Sequence, residues 1–181
     1  MIKLKHLLEG VNSKVYYHVS PNKFKPGDII QPYFDPNKYA DETDTSTDSR
    51  LTMKAVEDVL NNARTSDSPL RTKSIFIFKS LSDAKQYVKD MGDNSNIYTV
   101  SSTDKIKWHD MNWVDYIFSK LAAWGGGRGV KNINQIPKEE LLSIEDYAKR
   151  YWMGWGAQAY TYAKTKWEGI TNNPIKIIEV L

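Results

Sequence analysis

Short apolar runs of strand length alternate along this chain with stretches of helical periodicity, and most junctions carry Pro, Gly, Asn or Ser. That alternation constrains the fold more than any single motif, because a strand repeats its faces every second residue and a helix about every 3.6. Residues 14–19 (KVYYHV) are β-branched and aromatic, and Ser20-Pro21-Asn22 ends them as a first strand. Lys25-Pro26-Gly27-Asp28 makes a turn in which Pro presets φ at the second position and Gly accepts a positive φ at the third. Ile29-Ile30 then opens a short second strand before Pro32. Over residues 51–64, Leu51, Ala55, Val56, Val59 and Leu60 share one helical face. Residues 74–79 (SIFIFK) return to strand, and Ser82-Asp83 caps a helix that carries Ala84, Tyr87, Val88 and Met91 up to Gly92.

Further strands are expected over 96–101 (NIYTVS) and 105–108. A third helix runs over 110–124 with Trp113, Tyr116, Ile117, Leu121 and Trp124 apolar, and it stops in a glycine cluster. A fourth helical region begins near Pro137 and continues over 143–152, a fifth covers 157–166, and the run 174–181 (PIKIIEVL) is a final strand. No fixed-period repeat occurs, so a solenoid or propeller is excluded. The order of elements gives the α+β class, a mainly antiparallel sheet with helices inserted between its strands. At 181 residues the chain suits one domain, read as 11–181 behind a tail of residues 1–10.

Composition removes several chemistries. The chain has no cysteine, which excludes disulfides, thiolate nucleophiles and Cys-ligated metals. Its three histidines, His6, His18 and His109, are too dispersed for an HExxH or His-x-His metal site, so no metal is expected. No apolar stretch approaches the roughly 20 residues of a membrane span, and the first ten residues lack the apolar segment of a secretory signal. The net charge of +3 falls short of a protein that coats nucleic acid. Residues 35–49 are rich in Asp, Thr and Ser and read as a mobile surface loop, either an insertion or a lid. The surplus is aromatic, with six Trp, eleven Tyr and five Phe; most follow helical spacing and belong in the core, which leaves a few to stack on a ligand ring.

The sequence WGGGRGVKN at 124–132 has neither the Gly-Lys-Ser/Thr ending nor the preceding strand of a phosphate loop, and reads as a helix-terminating loop. His18 stands out because it falls at the end of the first strand, where a side chain emerges at the mouth of a sheet.

Tyr16-Tyr17-His18-Val19-Ser20-Pro21, followed by Phe24-Lys25-Pro26-Gly27-Asp28-Ile29-Ile30 and Pro32, resembles the opening of the rifampin ADP-ribosyltransferase family and related phage or bacterial proteins. In order along the chain, residues 75–80 with Ala84 are similar to that family's strand before a helix, and Asn96-Ile97-Tyr98-Thr99-Val100 to its Ile-Tyr-Val-Val strand. Trp167-Glu168-Gly169-Ile170 with residues 174–178 resembles the late glutamate and final strand of the broader ADP-ribosyltransferase fold. The resemblance implies two small, mainly antiparallel sheets forming a cleft, with NAD bound as substrate. It implies that His18 and Ser20 hold the adenosine side of NAD, that Phe76 and Tyr98 line the nicotinamide side, and that Glu168 is catalytic. In the rifampin-modifying branch an aspartate takes that place, for which Asp110 is the nearest match and ranks below Glu168. Breaking the nicotinamide–ribose bond develops oxocarbenium charge, and a carboxylate hydrogen-bonded to the ribose 2-hydroxyl strengthens its hold as that charge appears.

Two positions depart from the family pattern: Phe76 stands for a tyrosine and Val19 for a glycine. Leu7-Leu8-Glu9-Gly10 is similar to the cleavage signal on proteins that T-even-type phages package in the head, with an ordinary helical turn as the alternative. The leading expectation is therefore an NAD-dependent ADP-ribosyltransferase acting on a host protein or nucleic acid. It would work in the host cytoplasm as an effector, and the cleavage signal implies packaging in the virion head. The alternative is an inactive binding protein on the same fold, an inhibitor of a host defence factor or an internal virion protein. A nucleic-acid-binding module using scattered Lys, Arg and Trp is the third reading.

Overall fold

A computed structural model of the chain describes residues 14–32, 48–91, 95–102, 105–124, 130, 133–157 and 164–181. The 35–47 part of the expected insertion, the glycines at 125–129, the Leu7–Gly10 motif and most of the expected helix at 157–166 lie outside the described residues.

Seven strands join in one sheet: β1 (Lys14–Ser20), β2 (Ile29–Ile30), β3 (Ile75–Phe78), β4 (Asn96–Ser102), β5 (Lys107–Asp110), β6 (Trp167–Thr171) and β7 (Ile175–Val180), in the order β2-β7-β4-β1-β3-β6-β5. The mixed, antiparallel class expected from the alternation holds. The strands do not separate into two small sheets, because β1 pairs antiparallel with β4 along its whole length and with β3 on its other edge. The chain forms two compact units, one of Met1–Pro32, Ile75–Lys107 and Gly169–Leu181, the other of Tyr33–Ser74 and Trp108–Glu168.

In the first unit the turn before β2 is type II: Gly27 has φ of 97°, and the Asp28 amide donates to the Lys25 carbonyl at 3.1 Å. Strand alternation sorts the side chains of β1, β3, β4 and β7 onto two faces. Tyr16 and Ser20 of β1, Ile75 and Ile77 of β3, Tyr98 and Val100 of β4 and Ile177 of β7 occupy one face and are all buried. The opposite face is covered in part by α2 (Leu81–Met91), where Tyr87 lies against Phe78 at 5.0 Å between ring centroids.

The second unit packs α1 (Asp48–Asn62), α3 (Asn112–Trp124) and α4 (Lys138–Trp152) on one another. Ala55, Val56, Val59 and Leu60 of α1 are buried as their spacing predicts, as are Trp113, Ile117 and Leu121 of α3. Each fully buried aliphatic side chain contributes about 1.5 to 3 kcal/mol relative to exposure. The tryptophans divide: Trp113 and Trp152 are core, and their ring N–H groups donate to the carbonyls of Trp155 and Leu60, both at 2.6 Å. Trp124 and Trp155 are exposed, because each lies at or just past a helix end, where the apolar face runs out.

Helix α4 ends in a Schellman motif. The Trp155 amide donates to the Arg150 carbonyl at 3.1 Å and the Gly154 amide to the Tyr151 carbonyl at 2.9 Å, with Gly154 at φ of 70°. Strand β6 was not expected from periodicity, since Trp167-Glu168-Gly169-Ile170-Thr171 mixes a charge and a glycine into a short run. Residues 164–166, expected to close a fifth helix, are not helical.

Candidate functional site

The histidine singled out in the sequence lies inside β1, not at its mouth, because the strand continues to Ser20. His18 pairs directly with Tyr98 across the β1–β4 ladder, and both side chains share the buried face. Its Nδ1 is 2.9 Å from the Phe76 carbonyl oxygen. A carbonyl only accepts, so Nδ1 carries the proton of the neutral ring and Nε2 presents a lone pair. Burial pushes the His18 pKa down, opposed by the bond to Phe76, so the ring is held neutral near pH 7. A neutral imidazole with one nitrogen tied to the backbone is a directed acceptor for a hydroxyl.

Alternation decides which of the other expected residues accompany His18. Tyr17 pairs with Phe78, so the Phe76 side chain lies with Tyr17 and Val19 on the face opposite His18. Phe76 meets His18 through its carbonyl alone. Ser20 lies on the His18 face, buried, and its hydroxyl accepts from the Asn22 amide at 3.2 Å. Tyr98 is 1% exposed; its hydroxyl donates to the Asn22 carbonyl at 2.7 Å and accepts from the Phe24 amide at 3.1 Å. The strand partner of His18 therefore also holds the chain that leaves β1.

The two expected carboxylates belong to the second unit. Asp110 closes β5 and is fully buried. Its Oδ1 accepts from the amides of Asn112 at 3.0 Å and Lys166 at 3.2 Å, and its Oδ2 from the Ala157 amide at 2.8 Å. Three backbone donors make this side chain a tie between the start of α3 and residues 157 and 166.

Glu168 sits on β6 and is 2% exposed. Its Oε1 accepts from the Tyr151 hydroxyl at 2.7 Å and from Nη1 of Arg71. Arg71, on a 3-10 turn just before β3, also donates from Nη1 to the Tyr151 hydroxyl and from Nε to both Glu57 oxygens, at 3.1 and 3.3 Å. Glu57, Arg71, Tyr151 and Glu168 thus form a buried quartet built from α1, the 3-10 turn, α4 and β6. Burial opposes the charge on Arg71, but Glu168 and then Glu57 outweigh it and raise its pKa. Burial likewise pushes the Tyr151 phenol well above its usual range, with Arg71 pulling against it, so Tyr151 stays a neutral donor.

His109 adds support from β5: its ring stacks on Tyr151 with centroids 4.7 Å apart, and Nδ1 is 2.8 Å from the Tyr151 carbonyl oxygen. Sequence reasoning singled out Glu168 but missed Arg71, Glu57 and Tyr151. Spacing did not mark Glu57 either, since it falls outside the arc shared by Ala55, Val56, Val59 and Leu60 and yet is buried. Among the described residues no cluster of three or more His, Asp or Glu could hold a metal ion. No described helix is long and apolar enough to cross a membrane. The chain matches no protein-family model and no curated protein.

Proposed function

We propose that this chain is an ADP-ribosyltransferase-like protein that takes NAD as substrate and transfers ADP-ribose to a host macromolecule. The observation that carries the reading is the His18 imidazole, held neutral with Nδ1 on the Phe76 carbonyl and Nε2 free in chemistry to accept from a ribose hydroxyl. The residue types quoted for the family resemblance support the same reading. Val19 and Phe76, the two departures from the family pattern, both belong to the face opposite His18, so neither changes the row that contains it. In this reading Ser20 and Tyr98 shape the surroundings of His18, Phe76 contributes its backbone, and Glu168 stabilises the developing oxocarbenium charge. Asp110 serves structure.

A second reading is favoured by one observation. Glu168 is almost fully buried, with Oε1 occupied by two donors. A carboxylate so committed suits an inactive binding protein on the same fold, such as an inhibitor of a host defence factor or a virion internal protein. Calorimetric titration with NAD, paired with nicotinamide release, separates the two. The first reading expects binding that weakens in His18→Ala together with release by the wild type. Binding without release selects the second, and no binding at millimolar NAD overturns the NAD assignment.

A further inference from the structure

We infer that Arg71 and Tyr151 are positioning residues that fix the plane of the Glu168 carboxylate, an inference that rests on Glu168 being the reacting carboxylate. The terminal torsion of a glutamate is broad, so an untethered carboxylate samples many plane orientations. Here Oε1 carries both the Tyr151 hydroxyl, at 2.7 Å, and the Arg71 guanidinium. Among the described residues no donor is seated on Oε2. Turning the plane would break two charge-assisted bonds in a buried site, and a half-turn only exchanges two equivalent oxygens, so the plane is held with one oxygen in the clamp and the other outside it.

The clamp is itself clamped. Glu57 engages Nε of Arg71 through both of its oxygens, and His109 stacks on the Tyr151 ring. The Arg71 guanidinium is thus shared between two carboxylates. The oxygen outside the clamp is then the atom that accepts the ribose 2-hydroxyl, while the other remains with Arg71 and Tyr151.

Tyr151→Phe tests this by deleting one buried oxygen while keeping the ring. For nicotinamide release from NAD, the expected result is a fall in kcat of about tenfold or more with KM within about twofold, the signature of a misaligned reacting group. An unchanged kcat overturns the inference. Arg71→Lys, which keeps the charge and loses the fork, gives the same readouts should Tyr151→Phe not fold. A second measurement is independent of turnover: the carboxyl carbon-13 resonance of Glu168, assigned by its loss in Glu168→Gln, is expected to move in Tyr151→Phe. If the wild type releases no nicotinamide, the catalytic reading of Glu168 falls, and the clamp stands or falls on that resonance alone.

Discussion

His18 and Phe76 meet as side chain and backbone: the imidazole Nδ1 lies 2.9 Å from the Phe76 carbonyl oxygen, while the two side chains belong to opposite faces of the same sheet. Residues quoted together for a shared ligand are thus related by a hydrogen bond that orients one of them.

His18 gives stability a pH dependence of known sign. Its pKa is lowered in the fold, mainly by burial, from the ordinary 6.5. Between the lowered value and 6.5 the unfolded chain binds more protons than the folded one. Its contribution is therefore complete above about pH 6.5, declines as pH falls through that window, and levels off below the folded pKa. Urea midpoints measured across this range should fall with acid more steeply in the wild type than in His18→Gln. Parallel profiles would contradict the assignment.

Asp110→Asn should destabilise the second unit. The amide keeps one oxygen acceptor but turns its NH2 toward a backbone N–H, so at least one of the three amide bonds to Asn112, Ala157 and Lys166 is lost. The expected loss is about 2 to 4 kcal/mol in chemical denaturation. Exchange protection of the Ala157 and Lys166 amides should fall with it.

Tyr98→Phe keeps the buried ring and removes the hydroxyl shared by the Asn22 carbonyl and the Phe24 amide. A destabilisation of about 1 to 3 kcal/mol is expected, since both backbone groups lose a partner. Amide exchange at Phe24 should quicken selectively. Wild-type protection there would show that the hydroxyl does not hold this segment.

Gly154→Ala tests the end of α4. The residue has φ of 70°, and an added Cβ would lie 3.0 Å from the Trp108 carbonyl oxygen. Strain and crowding together predict a loss of about 1 to 3 kcal/mol, read as a lower urea midpoint. An unchanged midpoint would mean that the turn relaxes without penalty.

Most strands and helices were legible because their signals are local. The β-branched and aromatic run KVYYHV, the apolar stripe of residues 55–60 and the Lys-Pro-Gly-Asp turn each state their own conformation. Strand β6 was not legible, since Gly169 and Glu168 interrupt its pattern and the strand depends on pairing with neighbours distant in sequence. Pairing also decides the faces: nothing in the order of residues says that Tyr98, and not Phe76, stands beside His18. Glu168 was visible as a residue but not as a member of a quartet, because Glu57, Arg71 and Tyr151 come to it from 111, 97 and 17 residues earlier in the chain.

The most direct test of ADP-ribosyl transfer is nicotinamide release from NAD by wild type, His18→Gln and Glu168→Gln at neutral pH. The account predicts measurable release by the wild type, a fall of about a hundredfold or more in kcat for Glu168→Gln, and a loss expressed mainly in KM for His18→Gln. Equal rates for wild type and Glu168→Gln, or no release by the wild type at saturating NAD, would contradict it.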